Sequence, residues 1–316
     1  MDGKEILKKP KNNSDVQKKR IKELENQLDS ATSQLKQLRA AKFKLALGKP
    51  KDTKGSQHCR VIVPDSHGCL VDKKAAKAFF HDLGIIKPSQ IVCLGDHIDC
   101  GGFLAQHHTM GYVAQTEYTF SDDEHAANVF LDTLQEIANC ETIYIEGNHE
   151  RRIENWITTQ TLKNTKDAEW LKERFSIETV LNLTKRGFRH IEQGKTYDKL
   201  KLPGTVKLGN CYFTHGSSTS QHAASAHVKK FGGNVVYGHT HRADSYIIRQ
   251  VKSGTIGAWS PGCLCELQPL WQHTNPTEWS HGYGLQMVLS NGDFLHINVP
   301  IVDGKSLLSP LVEELK

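Results

Sequence analysis

Five short stretches of this 316-residue sequence concentrate side chains that can donate electron pairs to a cation. They are Asp65-Ser66-His67-Gly68, Gly95-Asp96-His97-Ile98-Asp99, Gly147-Asn148-His149-Glu150, His215-Gly216 and Gly238-His239-Thr240-His241. Together they offer at least two carboxylates, a carboxamide oxygen and four imidazoles. Such groups crowded out of water are costly unless something compensates them, and a divalent metal does. One catalytic ion normally takes three or four protein ligands plus water. Seven candidates are therefore too many for one site and suit two sites that share a bridging carboxylate. Ions held ~3.5–4 Å apart can deprotonate a water between them and clamp a phosphoryl group in line. Mixed nitrogen and oxygen ligation without thiolate favours Mn²⁺, Fe or Zn²⁺ over Cu(I), and disfavours a site for Mg²⁺ alone.

The elements that would position these groups are legible. Each stretch follows a short β-branched run, at 60–64, 91–94, 143–146, 211–214 and 234–237. Helical patterns lie between several of them. Residues 72–83 carry Ala75, Phe79 and Leu83 on one face behind an Asp72 N-cap, and 121–139 opens with Ser121 and Glu124 in capping-box spacing. Alternation of strand and helix means α/β architecture. In such a sheet the carboxyl ends of neighbouring strands line one crevice, so the five loops should converge, with glycines letting the backbone turn away from each strand. Further strands are expected at 246–251, 284–289 and 293–299, with Asn291-Gly292 as a hairpin turn.

Residues 1–15 are polar and read as disordered. From 16 to 47 there is neither Pro nor Gly, and Ile21, Leu24, Leu28, Ala31, Leu35, Leu38 and Leu45 follow heptad spacing broken by Lys42. Residues 48–57 read as a linker to a main domain over 58–316. Residues 1–54 hold 15 basic against 7 acidic side chains and the remainder 25 against 28, so the basic character belongs to this leading segment. Its helix suits a self-associating coiled coil, which makes a homo-oligomer through 16–47 the expected partner. Docking on its own domain and a nucleic-acid tether through its Lys and Arg are the other readings. No apolar stretch approaches the ~18 residues that span a bilayer, and no export signal is seen. The eight cysteines, of which only Cys263 and Cys265 are close, read as reduced thiols in a cytoplasmic protein.

The five blocks, in this order, resemble those of the calcineurin-like metallophosphoesterase superfamily, in particular its stand-alone bacterial and phage-type phosphoesterases. The resemblance implies a four-layer α-β-β-α sandwich, here preceded by the N-terminal basic coiled-coil-like helix. It implies that Asp65, His67, Asp96 and His241 hold one divalent ion, and that Asp96, Asn148, His215 and His239 hold a second, with Asp96 shared. His149 is similar to the histidine that protonates the leaving group, and Asp99 would orient it. The reaction implied is hydrolysis of a phosphodiester or phosphomonoester by metal-bound hydroxide, manganese favoured, with a nucleotide or nucleic-acid ester as first choice.

Departures narrow the subgroup. The first and third blocks look like those of phosphoprotein phosphatases, yet Cys100-Gly101 stands where those enzymes carry an arginine, and they lack the Gly-His-x-His ending. A protein-phosphatase-like enzyme stays as one alternative. The other is a coiled-coil assembly or binding protein with a vestigial phosphoesterase domain. Arg151, Arg152, Arg242 and His97 lie beside ligand positions and are candidate substrate contacts. Trp259, Pro261, Cys263, Cys265 and Trp271 suit core packing or a cleft wall, His107 and His108 suit a surface loop, and the polar helical stretch 150–200 suits a lid.

Overall fold

In a computed structural model of the chain, the described residues are 57–104, 118–161, 164–270 and 276–310, with Lys22 alone before them. The helix expected over 16–47 lies otherwise outside them, as do His107, His108 and Trp271.

Two sheets carry the main domain. The larger has seven strands in the order β12-β11-β10-β1-β2-β3-β4. These are β1 (His58–Val63), β2 (Gln90–Cys93), β3 (Glu141–Ile145), β4 (Arg189–Ile191), β10 (Gly282–Val288), β11 (Phe294–Val302) and β12 (Lys305–Ser306). The second has five, in the order β5-β6-β7-β9-β8, formed by β5 (Thr205–Leu208), β6 (Cys211–Thr214), β7 (Asn234–Tyr237), β8 (Ala243–Gln250) and β9 (Gly254–Pro261). β1, β2, β3 and β4 pair in parallel, as do β6, β7 and β9. The strands expected at 211–214 and 234–237 form with those bounds, and β10 and β11 pair antiparallel across Asn291-Gly292.

Strand alternation sorts the side chains into layers. Val61, Val63, Ile91 and Cys93 pack with α1 (Lys73–Ile86) and α2 (Phe120–Ile137) through Phe79, Leu83, Phe130 and Leu131. Their neighbours Ile62, Val92 and Leu94 face the other way and meet Val206, Phe213 and Val236 of the second sheet. Val235, Tyr237, Ile256 and Ala258 on that sheet's far face pack with α7 (Ala223–Phe231). Three buried clusters thus separate four layers: helices, sheet, sheet, helix. Phe79 and Leu83 are wholly buried, each worth ~1.5–3 kcal/mol of transfer free energy.

Asp72 caps α1 as expected, accepting from the Lys74 and Ala75 amides. The cap of α2 lies two residues earlier than the sequence reading. Thr119 accepts from the Asp122 amide and the Asp122 carboxylate reaches back, completing a box that the Ser121–Glu124 reading displaced. Starting the helix there buries Phe120 against Phe103 and Phe175. The 150–200 stretch forms α3 (Arg151–Gln160), α4 (Thr165–Arg174), α5 (Ile177–Val180) and α6 (Leu183–Arg186). No helix among the described residues is long and apolar enough to cross a membrane, and all eight cysteines are free.

Candidate metal centre

β1, β2 and β3 run side by side in one direction, so the turns that leave them open at one edge; β6 and β7 end beside them in the facing sheet. The five polar stretches meet there. Around His67, the ring Nε2 lies 3.1 Å from His241 Nε2, and His241 Nε2 lies 3.0 Å from Asp65 Oδ2. Around His215, the ring Nε2 lies 2.9 Å from Asn148 Oδ1, 3.2 Å from His239 Nδ1 and 3.2 Å from Asp96 Oδ2. Asp65, His67 and Asp96 present donor atoms within 4.8 Å of one another, and so do Asp96, His215 and His239. Asp96 belongs to both groups.

These donors fit divalent cations. Metal–nitrogen bonds of ~2.0–2.1 Å at a tetrahedral angle hold two nitrogens roughly 3.3 Å apart, close to the 3.1 and 3.2 Å separations of the histidine pairs. The rings are also braced on the side away from the candidate ion. His67 Nδ1 lies 3.0 Å from Asp99 Oδ1, and His215 Nδ1 lies 2.9 Å from the Leu94 carbonyl. Partners of this kind fix the tautomer that leaves the facing nitrogen free to bind metal.

Backbone conformation aims four of these side chains. His67, Asp96, His239 and His241 all have φ between 50° and 68°, the left-handed region that non-glycine residues avoid. Conformations of this kind cost of order 1–3 kcal/mol each and persist where surrounding contacts hold them. The bonds that do so are visible: the Ser66 and His67 amides donate to the Asp96 carbonyl, and the His239 amide donates to the Asp65 carboxylate. Two glycines serve close approach. A Cβ on Gly147 would run into the Asp96 carboxylate, and one on Gly238 into that of Asp65.

Charge is balanced within the cluster. Burial opposes ionisation of Asp96, but His215 and His149 beside it hold its carboxyl well below the usual range. Burial also works against a charge on Asp65, and the hydrogen bond from His241 brings it down to about 2. Burial disfavours a proton on His215, yet Asp96, Asp65 and Glu150 overcome it and push the imidazole up to about 10. His239, half-buried and facing His215, falls to about 4. A proton on His215 would neutralise part of this nest of carboxylates, a task a divalent cation would take over with release of the proton.

His149 stands at the mouth, 3.9 Å from Asp96 Oδ2 through Nε2. Its Nδ1 lies 2.7 Å from the Asp99 carbonyl oxygen and 3.2 Å from Asp99 Oδ1. Asp99 thus touches both His67 and His149, and its other oxygen accepts from the Tyr118 hydroxyl. Burial opposes protonation of His149, while Asp96 and Asp99 raise its pKa in spite of Arg152. Arg152 is buried, donates to the Asp99 carbonyl and lies 3.1 Å from His149 Nε2.

A cavity of ≈ 380 Å³ opens on the centre, lined by Asp96, Asn148, His149, Arg152, Arg242 and Trp279 among others. Arg242 reaches it but is paired with Glu278 at 3.1 Å and bonded to the Ser220 carbonyl. Arg151 does not line it. His97 is not brought to the cleft either. Wholly buried behind the centre, it contacts Ser66 Oγ at 2.9 Å, stacks on Phe130 and lies tilted against Tyr144. Trp279, edge-on to His241 at 4.1 Å, supplies the aromatic wall. Cys263 and Cys265 are buried, and Trp259 packs on Phe294 and His296. Trp279 follows the predicted blocks by many residues and lies in no periodic pattern, so only three-dimensional proximity identifies it.

No known family profile matches the sequence, and no curated protein matches it. Solved structures do. Vps29 of Cryptosporidium parvum is 12% identical with a TM-score of 0.40, covering 79% of this chain and 95% of its own. Vps29 of Entamoeba histolytica, complexed with zinc, is 12% identical with a TM-score of 0.38, covering 78% and 95%. Yfce, a phosphoesterase from E. coli, is 16% identical with a TM-score of 0.33, covering 76% and 98%. At these identities and scores the likenesses decide nothing about activity. It is in its five residue blocks, in their order and in the single place where they meet that the chain resembles the calcineurin-like metallophosphoesterases.

Proposed function

We propose that this protein is a metal-dependent phosphoesterase working with two divalent cations. The observation that carries the reading is the sharing of Asp96 between two groups of donors at the ends of parallel strands. Asp65, His67, Asp96 and His241 would hold one ion, and Asp96, Asn148, His215 and His239 the other. Bound there, the ions would supply Lewis acidity that activates water and withdraws charge from phosphoryl oxygens. The chain's own residues do the rest. Asn148 contributes oxygen without charge, so the site does not repel a phosphate. Asp99 orients His149 in the cavity lining, where its imidazole, raised in pKa despite the Arg152 guanidinium beside Nε2, can give a proton to the departing oxygen.

For the substrate we read a diester, of nucleotide or nucleic-acid type, rather than a monoester. Glu278 cancels the charge of Arg242, so the lining offers less positive charge than a phosphomonoester dianion would draw on. Trp279 gives a flat apolar wall against which a base can stack. Protein loaded with Mn²⁺ should hydrolyse bis-p-nitrophenyl phosphate faster than p-nitrophenyl phosphate or a phosphopeptide, and lose that activity with a chelator. Failure to cleave any of these esters with Mn²⁺, Zn²⁺ or Fe²⁺ would overturn the reading.

A further inference from the structure

β2 and β3 are neighbours held by ladder bonds only as far as the pair Cys93↔Tyr144. Beyond it, the turns that carry Asp96 and Asn148 run without a shared ladder. Glu150 stands where such bonds would be. Its carboxylate is buried, with 1% of the residue exposed, and it accepts four hydrogen bonds. Oε2 takes the amides of Asp96 at 3.0 Å and Gly147 at 2.9 Å. Oε1 takes the amide of His97 at 2.9 Å and the Tyr144 hydroxyl at 2.6 Å. The contact is returned, because the His149 amide donates to Asp96 Oδ1 at 2.9 Å. Each turn therefore offers a carboxylate to the backbone of the other.

From this reciprocal clamp we infer that Glu150 is a positioning residue for the metal centre, fixing the shared Asp96 against the turn that presents Asn148. Glu150 does not line the cavity that opens on the candidate ions; it lines a separate one of ≈ 660 Å³ beside α3 and α4. It therefore acts through Asp96 and not on substrate. Both oxygens must accept for the role, although burial and the neighbouring Asp96 push the Glu150 acid up to about 8. Four donors converge on it, and an amide NH₂ in place of either oxygen would point a donor at a backbone N–H.

The inference rests on the two-ion reading, and Mn²⁺ titration of the metal-free full chain by calorimetry separates the two. The parent should bind two Mn²⁺, whereas Glu150→Gln should bind them roughly 10–100-fold more weakly, the usual loss when a group that orients a ligand is removed. Tyr144→Phe, which keeps the three amide contacts, should stay within about threefold of the parent. Hydrogen exchange on the metal-free chain gives a readout independent of activity. The Asp96, His97 and Gly147 amides should be protected in the parent and exchange faster in Glu150→Gln, while strand amides of β2 stay protected. A parent that binds no Mn²⁺ defeats the two-ion reading and the inference with it. A parent that binds two, beside a Glu150→Gln that binds them equally well with those amides protected, defeats the inference alone. If Glu150→Gln does not fold, unprotected Asp96, His97 and Gly147 amides in the parent contradict the clamp, and protected ones support it.

Discussion

At the scale of single residues, His149 is where the proposed metal site meets the proposed proton donor. Its Nδ1 is committed to Asp99, and Arg152 beside Nε2 opposes protonation there. Replacing His149 by Ala should leave metal content unchanged and lower turnover of esters with poor leaving groups by roughly 10²–10⁴-fold. Esters that leave without a proton, such as bis-p-nitrophenyl phosphate, should suffer far less. An alkyl ester cleaved at the parental rate would remove His149 from the role of acid. Arg152→Ala removes a cation that lowers the imidazole's affinity for a proton. Because an acid must be protonated to act, activity falls as pH rises through its pKa, and this alkaline limb should move to higher pH in Arg152→Ala. A kcat–pH profile reads the shift, and an unmoved limb would dissociate Arg152 from His149.

At the scale of elements, parallel strands with equal endings bring the blocks together, and their turns do the fine aiming. The sequence made the strand ends readable because β-branched runs stop at Gly, Asp and His, and it made the α1 cap readable because Asp72 precedes an apolar stripe. It did not reveal why Gly147 is glycine. The expectation was a sharp turn, whereas the structure shows the Asp96 carboxylate packed where a Cβ would be. Nor did it reveal the left-handed backbone of His67, Asp96, His239 and His241: Asp and His enter that region more readily than most residues, but tertiary contacts decide where. Gly147→Ala should displace the Asp96 side chain and weaken Mn²⁺ binding at least tenfold, by analogy with other changes to groups that orient ligands. Calorimetric titration checks this, and parental affinity in Gly147→Ala would mean the carboxylate has room to move.

At the scale of the whole molecule, alternating strand and helix patterns pointed to α/β architecture, whereas two facing sheets were expected only from the resemblance of the five blocks. The partner strands β4, β5 and β9 were not legible, because short or glycine-containing runs carry too little pattern. His97 shows the limit for sites: its place between Asp96 and Asp99 suggested the cleft, yet the αL turn at Asp96 sends it into the layer of α2. The fold leaves buried histidines that couple stability to pH. His296, packed on Trp259, is brought down to about 4 by burial despite its bond to Asn298. An imidazole of ordinary pKa ~6.5 in the unfolded chain takes up protons that this folded one refuses. Its contribution is therefore present above pH ~6.5 and lost as pH falls toward about 4, up to about 3 kcal/mol. His296→Gln should flatten the fall in Tm between pH 6.5 and 4, and an unchanged slope would show that His296 carries no such coupling.

Anomalous diffraction from crystals grown with Mn²⁺ would observe the two proposed ions around Asp96 directly. Two peaks are expected ~3.5–4 Å apart on either side of the Asp96 carboxylate, one bounded by His67 and His241 and the other by His215 and His239, and neither in Asp96→Asn. A single peak, or peaks away from Asp96, would contradict the two-ion reading.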